Sequence, residues 1–236
     1  MIFGGDDRPP SGMLSIKRTG DHPEPAPEGE VGEGVCLETS RGDIHCLLHR
    51  APEPNGAALL LAVGARGGFG GPADGLYPQL AEELAAEGFS SLRFEYRQAN
   101  QLDECVLDAL AAVSYLNSLG CGRIGVVGHS FGGAVALSAA RYTKVIAAAV
   151  TLASQTHGAE DVVLLAPRPL LIVHGEEDVR LPVDCAHQIF DWAFEPKEKV
   201  LYPGAGHGLR ECRQELLDLL RQWLPEKLLR LERQRA

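Results

Sequence analysis

The sequence predicts an α/β protein built on one mostly parallel sheet of about eight strands, with helices on both of its faces. The chain has 236 residues, 45% of them hydrophobic, which is enough for one sizeable core and is typical of a single domain. From residue 57 onward, short apolar runs alternate with longer amphipathic runs. This alternation is typical of strands and crossover helices that build a parallel sheet.

The first 30 residues are predicted to form a flexible N-terminal arm. They are rich in proline and acidic residues, and such a composition buries too little apolar surface to offset the entropy of ordering. Two predicted strands, 31–39 and 43–49, then surround a glycine turn and form a hairpin, so that the second strand is antiparallel. The folded domain is expected to span residues 31–224.

The remaining elements follow in regular order. Strands are predicted at residues 57–63, 90–95, 123–127, 145–152, 169–174 and 199–202. Helices are predicted at residues 77–86, 102–119, 131–142, 183–192 and 210–223. Only about sixteen residues separate the sixth and seventh predicted strands, so a large cap domain does not fit there. Pro225 is expected to interrupt the last helix and to leave residues 225–236 as a basic, frayed helical tail.

The net charge of the chain bears on which classes of binding partner are expected. A formal net charge of −10 disfavours nucleic acid and anionic membranes, because both bind basic faces. The sequence shows neither the pattern of a signal peptide nor an apolar run long enough to span a bilayer, which predicts a cytoplasmic protein. The oligomeric state is not indicated by any of these features.

The cysteines do not form a recognisable metal or disulfide pattern. No Cys-x-x-Cys pair occurs, so the sequence predicts neither a zinc site nor a dense disulfide frame. Cys36 and Cys46 lie on the two strands of the predicted hairpin, where antiparallel pairing could bring them close. A disulfide between them is not expected in a reducing compartment. The other four cysteines are Cys105, Cys121, Cys185 and Cys212.

The most informative motif is Gly128-His129-Ser130-Phe131-Gly132, between an apolar run and a small-residue helical run. A serine on such a strand-to-helix turn needs small neighbours, and glycines two residues before and after it supply them. Its hydroxyl then stands clear at the start of the helix. The motif therefore predicts that Ser130 is a nucleophile.

A serine nucleophile needs a base and a group that orients the base. His207 lies in the glycine-rich stretch 203–208 after the last strand, where a loop can place its imidazole over the carboxyl edge of the sheet. Asp178 follows the strand 169–174 and is predicted to orient the imidazole. Its shorter side chain suits a fixed bond better than the neighbouring Glu176 and Glu177 do.

An acyl-transfer site also needs two donors for the developing oxyanion. The amide of Phe131, next to the nucleophile, is the first candidate. The glycine-rich loop 64–71 supplies the second, for which Ala65 is preferred and Arg66 is the alternative. The spacing of these glycines does not fit a dinucleotide-binding fingerprint.

The chain order Ser130, Asp178, His207 and the elbow motif resemble the α/β-hydrolase family, over about residues 31–224. Within it the chain is similar to small dienelactone-hydrolase-like esterases without a cap. The resemblance implies a carboxylesterase-type serine hydrolase that cleaves small carboxylic esters through an acyl-enzyme intermediate. It implies neither a metal nor an organic cofactor.

An open cleft favours small or extended substrates, and an uncharged acyl ester is expected to fit better than a polyanion. The residues expected near its mouth are Arg66, Phe69, Tyr77 and His157. Hydrolysis of a thioester, a lactone or a dienelactone is the alternative reaction. A non-catalytic binding protein on the same fold is a further alternative, since a fold alone does not imply chemistry.

Overall fold

The computed structural model describes residues 16–19 and 24–233, with side chains for residues 24–229. The strands are β1 (Ile16–Thr19), β2 (Glu33–Thr39), β3 (Gly42–His49), β4 (Ala57–Ala62), β5 (Ser90–Phe94), β6 (Arg123–His129), β7 (Ile146–Leu152), β8 (Leu170–Gly175) and β9 (Lys197–Tyr202). The helices are α1 (Pro72–Ala85), α2 (Leu102–Ser118), α3 (Phe131–Tyr142), α4 (Asp184–Trp192) and α5 (Arg213–Arg233), with a 3₁₀ helix at Glu160–Leu164.

The strands of the described residues form one sheet in the order β1-β2-β3-β5-β4-β6-β7-β8-β9. The six strands from β5 to β9 in this order are parallel, whereas β1, β2 and β3 pair antiparallel. Helix α1 packs against α5, and α2 packs against α3, so that helices cover the sheet. The predicted fold class, with a mostly parallel sheet and no large cap, is confirmed.

The sheet has one strand more than the eight expected, because β1 lies in the segment predicted to be a flexible arm. It pairs antiparallel with β2 through residues 37–39 and so satisfies backbone groups that an edge strand would leave open. The rest of the predicted arm up to residue 23 lies outside the described residues.

The core is centred on the strands that carry the site. All six residues of β4 are buried, and β7 and β8 are buried along their whole lengths. A strand with helices on both faces must be apolar throughout, which is why β4 reads AALLLA. These parallel strands end at the same edge of the sheet, so the loops that follow them converge there.

Helix α5 corrects the prediction that the last helix ends near residue 223. It runs without a break through Pro225 to Arg233. Proline removes one helical hydrogen bond, but Leu224 and Leu228 on either side of it are fully buried. Both leucines pack over Gly125 of β6, where an added Cβ would come within 3.2 Å of either side chain. Burial of this helix face outweighs the local effect of the proline.

The hairpin register keeps Cys36 and Cys46 apart. Cys36 lies opposite His45, and Cys46 lies opposite Val35, so the two thiols point to different faces of the sheet. Both are free thiols. In the part of the chain that the structure describes, no helix is both long enough and apolar enough to cross a bilayer.

Candidate active site

Ser130 occupies a sharp turn between β6 and α3. Its φ of 55° and ψ of −120° lie in a region that side chains rarely adopt. The turn requires the flanking glycines, because a Cβ on Gly128 would lie 2.0 Å from the carbonyl oxygen of Gly132. A Cβ on Gly132 would lie 2.4 Å from the carbonyl oxygen of Val63 in the loop after β4. The local sequence therefore folds into the elbow that the motif predicts.

The three residues predicted to form the reacting set meet at this edge of the sheet. The Oγ atom of Ser130 lies 3.0 Å from Nε2 of His207. Nδ1 of His207 lies 2.7 Å from Oδ2 of Asp178. Both distances are within hydrogen-bond range, so a hydroxyl, an imidazole and a carboxylate form one connected chain.

The carboxylate of Asp178 is buried but well supplied with donors. Its Oδ1 accepts hydrogen bonds from the backbone N–H groups of Arg180 and Leu181, each at 2.9 Å. Burial by itself would raise the pKa of Asp178, but these backbone N–H groups and the bond from His207 hold it below its usual value. The group is therefore ionised at neutral pH.

His174, at the end of β8, is a second imidazole beside Asp178. Its side chain is fully buried, and Nε2 lies 2.9 Å from the carbonyl oxygen of Leu181 and 3.3 Å from Oδ2 of Asp178. Burial lowers its pKa, so it is neutral and donates its Nε2 hydrogen toward these oxygens. Its Nδ1 has no hydrogen-bond partner among the described residues.

His129, next to Ser130, contacts the loop that carries His207. Its Nε2 lies 3.0 Å from the carbonyl oxygen of His207, and the two rings are 5.1 Å apart. Burial is the main cause that lowers the pKa of His129 to about 4. The neutral ring can donate to that carbonyl. Sequence reasoning singled out neither His129 nor His174 as a site residue, although both stand inside the motifs that carry Ser130 and Asp178.

A cleft of about 480 Å³ opens above Ser130. Ala65 and Arg66, the two candidates for the second oxyanion donor, both line it. Phe131 begins α3, so its amide has no acceptor inside the helix. The other residues along the cleft are Val63, Gly64, Gly67, Gly71, Pro72, Ala73, Asp74, His129, Arg180, His207, Gly208 and Arg210.

The wall of the cleft is more basic than the sequence suggested. It carries Arg66, as predicted, and also Arg180 and Arg210, which were not predicted. Arg210 forms an exposed ion pair with Asp74 across the cleft, with Nε and Oδ1 2.6 Å apart. Both unforeseen arginines stand within three residues of Asp178 or His207, and this proximity is the signal that could have identified them.

Two aromatic residues expected at the mouth lie in the core instead. Tyr77 is fully buried; its hydroxyl lies 3.1 Å from the carbonyl oxygen of Ala62, and its ring fills the space beside Gly71. Phe69 is only 6% exposed, and its carbonyl oxygen accepts a hydrogen bond from buried Arg93. Residues 73–75 have positive φ angles that interrupt the start of α1. Just after this turn, the N–H of Tyr77 donates to the carbonyl oxygen of Gly70 in the glycine loop, 3.0 Å away.

His157 is also misplaced by the sequence prediction. It lies at a separate cavity of about 320 Å³ between α2, α3 and the 3₁₀ helix. The connection between β7 and β8 folds against α3 and carries His157 away from Ser130.

Comparisons with solved structures agree with this architecture. Est1E from Butyrivibrio proteoclasticus superposes with a TM-score of 0.71 at 17% identity, covering 82% of this chain and 98% of its own. The α/β hydrolase GrgF from Penicillium sp. sh18 gives a TM-score of 0.70 at 18% identity, with coverages of 83% and 98%. XC6422 from Xanthomonas campestris, a serine hydrolase without a lid, gives 0.65 at 15% identity, with coverages of 87% and 99%. At these identities the likeness shows the α/β-hydrolase fold.

Sequence comparisons identify the family. No curated protein matches the chain. The profile of the dienelactone hydrolase family matches residues 68–219, a stretch that includes Ser130, Asp178 and His207. Because this match spans more than half of the chain, the protein belongs to the dienelactone hydrolase family, whose members are α/β-hydrolases.

Proposed function

We propose that this protein is a serine hydrolase that cleaves small carboxylic esters through an acyl-enzyme intermediate. The observation that supports this most directly is the connected chain from Ser130 through His207 to Asp178, with contacts of 3.0 and 2.7 Å. A neutral serine is a poor nucleophile, and an imidazole in contact with it is the group that can accept its proton.

In the proposed mechanism, Ser130 attacks the substrate carbonyl while His207 takes the hydroxyl proton. The ionised carboxylate of Asp178 holds the imidazole in the required tautomer and stabilises its positive charge. The amides of Phe131 and Ala65 bind the oxyanion. The tetrahedral intermediate then expels the alcohol, which receives the proton from His207. Water repeats the same sequence on the acyl-enzyme and releases the acid.

The cleft supports a small substrate. Its volume of about 480 Å³ lies within the range of small-molecule sites. The acidic chain as a whole offers little attraction to a nucleic acid, so a small molecule is the proposed partner.

Lactone hydrolysis is the second candidate, and the basic wall of the cleft favours it for substrates that carry an acid group. Arg66 and Arg180 line the cleft without a carboxylate partner among the described residues. A guanidinium group can bind a carboxylate in a bidentate manner. In a lactone, the leaving oxygen stays attached to the acyl group, but the steps at Ser130 are the same.

The decisive test is Ser130→Ala. We expect hydrolysis of p-nitrophenyl acetate to fall by about 10³- to 10⁶-fold, because the nucleophile is removed. Ser118→Ala is the matched control, since Ser118 lies at the end of α2 and its hydroxyl donates a hydrogen bond to the carbonyl oxygen of Tyr115. Unchanged turnover in the Ser130 variant would refute the proposal.

Two further measurements separate the alternatives. Covalent labelling by a fluorophosphonate probe, lost in Ser130→Ala, is expected of a serine hydrolase and not of a non-catalytic binder. Relative kcat/KM for esters of graded acyl length, a thioester, and lactones with and without a carboxylate then distinguishes the esterase from the thioesterase and the lactonase.

A further inference from the structure

Three side chains of types that can bind metals lie close together on the antiparallel part of the sheet, away from the cleft. They are Glu24, Cys36 and His45, and one donor atom from each lies within 4.8 Å of the other two. Cys36 is on β2 and His45 is directly opposite on β3. Directly opposite residues of an antiparallel pair share a face, so their side chains are neighbours.

Glu24 is held against the same face by the backbone. Its N–H donates to the carbonyl oxygen of Gly34, 3.0 Å away, and the two residues form an isolated antiparallel bridge. A Cβ on Gly34 would lie 2.3 Å from the carbonyl oxygen of Glu24, so only glycine permits this approach. Gly34 and Cys36 are two residues apart on one strand and therefore point to the same face. The carboxylate of Glu24 thus reaches His45, with Oε2 and Nδ1 3.6 Å apart.

The distance between Glu24 and His45 suits a tetrahedral metal ion. With Zn–S bonds of about 2.3 Å and Zn–N or Zn–O bonds of about 2.0–2.2 Å, tetrahedral angles put the donor atoms about 3.4–3.6 Å apart. The Glu24–His45 separation of 3.6 Å already meets this requirement. The two distances to Sγ of Cys36 are within 4.8 Å. The side chains of Glu24 and His45 are 48% and 59% exposed, so rotations of these side chains can bring both distances into range.

The surrounding charge also favours a cation. Glu38 and Asp43 lie directly opposite each other, two pairs further along the same two strands and therefore on the same face. Like charges in opposite positions on a sheet repel each other. A divalent cation bound beside them would reduce this repulsion.

We propose that Glu24, Cys36 and His45 form a binding site for a zinc-class divalent ion, with water as the fourth ligand. The thiol and the imidazole select a borderline-soft metal over Mg²⁺ or Ca²⁺, which prefer oxygen ligands. The three ligands come from separate segments without a motif spacing, and for this reason the sequence predicted no metal site. None of the three lines the cleft, so the site is independent of the proposed hydrolysis.

The test is a titration of the reduced, chelator-treated full-length protein with Co²⁺, which reports a cysteine ligand through a thiolate-to-cobalt absorption band. We expect saturation at one equivalent and displacement by Zn²⁺. Cys36→Ser should abolish the band. His45→Gln should weaken Zn²⁺ binding about 100-fold or more, because loss of even an outer-shell partner costs 10- to 100-fold.

Two control variants make the result specific. Cys185→Ser removes another partly exposed thiol, and His207→Asn removes the histidine of the proposed catalytic set; both should bind Co²⁺ like the unmodified protein. Turnover of p-nitrophenyl acetate by Cys36→Ser should be unchanged, which shows that this variant folds. No saturable binding, or binding that persists in Cys36→Ser, would overturn the proposal. Loss of binding in His207→Asn would do the same, by placing the ion in the cleft.

Discussion

The two oxygens of Asp178 have different partners. Oδ1 accepts from two backbone N–H groups, and Oδ2 accepts from Nδ1 of His207. The backbone bonds fix the plane of the carboxylate, so its free oxygen points at the imidazole. Nε2 of His174 lies 3.3 Å from the same oxygen. A carboxylate so constrained selects one tautomer of His207 rather than merely lying near it.

Replacing Asp178 with Asn should therefore lower kcat for p-nitrophenyl acetate by about 10³- to 10⁴-fold. The amide can present an N–H to Nδ1 of His207 and stabilise the tautomer that cannot accept the serine proton. Glu177→Gln is the control, because Glu177 is the neighbouring exposed carboxylate that sequence reasoning weighed against Asp178. Equal losses in both variants would contradict the assignment of Asp178.

At the residue scale, the sequence predicted the positions of Ser130 and His207 better than those of the aromatic residues Tyr77 and Phe69. Ser130 and His207 stand in glycine-rich turns whose position after a strand is visible in the chain, and the structure brings both to one edge. Their catalytic roles remain predictions. Tyr77 and Phe69 stand close to the glycine loop in the sequence, but the direction in which an aromatic ring points depends on a turn that the sequence does not reveal.

Among the elements, helix α3 packs with its first turn directly against the backbone at the end of β4. A Cβ added at Gly132 would lie 2.5 Å from the carbonyl oxygen of Ala62 and 2.4 Å from that of Val63. This approach puts the start of α3, with the amide of Phe131, beside the loop that contains Ala65. The two proposed oxyanion donors are thus positioned by one backbone contact.

Gly132→Ala should consequently reduce both stability and activity. Its Cβ has to displace rigid backbone, which costs about 1–3 kcal/mol of unfolding free energy in an overpacked core. kcat should fall more than KM rises, since the donors act on the transition state. Gly122→Ala is the control, because a Cβ there meets no atom within 4 Å. Urea unfolding and kinetics of both variants provide the measurement, and a Gly132 variant indistinguishable from Gly122→Ala would disprove this account.

Helix α5 shows why a local rule can fail for an element. Proline in a helix interior predicts a break, and the sequence prediction ended the helix accordingly. The outcome depended on the glycine at position 125 of β6, which leaves room for Leu224 and Leu228. This packing joins residues about one hundred positions apart, which no local pattern can report.

At the scale of the whole molecule, a buried arginine ties the segment before β2 to the sheet. Arg93 of β5 is fully buried; its guanidinium forms a 2.7 Å ion pair with Glu30 and donates to the carbonyl oxygen of Phe69. Its Nε donates to Nε2 of His49, 3.1 Å away. His49 must be neutral to accept this bond, and burial, followed by the charge of Arg93, lowers its pKa to about 4.

Stability should therefore decline on mild acidification. An unfolded histidine has a pKa near 6.5, so below that pH this side chain is protonated in the unfolded chain but stays neutral in the folded protein. The contribution of His49 to the free energy of unfolding is complete above pH 6.5 and is lost as the pH falls toward 4. The loss is at most about 1.4 kcal/mol per pH unit, and solvent screening reduces it. Buried His129 acts in the same direction.

The check is urea unfolding at pH 7.5 and 5.0. His49→Gln keeps an acceptor for Arg93 but cannot be protonated, so this variant should lose less stability between the two pH values than the unmodified protein. Ser118→Ala, which removes no titratable group, should lose as much as the unmodified protein. An identical pH dependence in His49→Gln would rule out this histidine as a cause.

The order of strands and helices along the chain could be predicted because hydrophobic periodicity is a local property. Every predicted element from residue 31 onward has a counterpart, with bounds that differ mainly at the ends. Strand β1 was missed because four residues in a polar segment carry little periodic signal. The cluster of Glu24, Cys36 and His45 was missed because it depends on the register of β2 and β3 and on the backbone bridge between Glu24 and Gly34.

The short connection between β7 and β8 has a consequence for the working cycle. It forms the 3₁₀ helix beside α3 and α4, and none of its residues borders the cleft. When no segment covers an active site, turnover does not wait for a lid to open or for a hinge to release the product. In the proposed hydrolase, discrimination between ligands would therefore fall to the fixed walls of the cleft, which include the guanidinium groups of Arg66, Arg180 and Arg210.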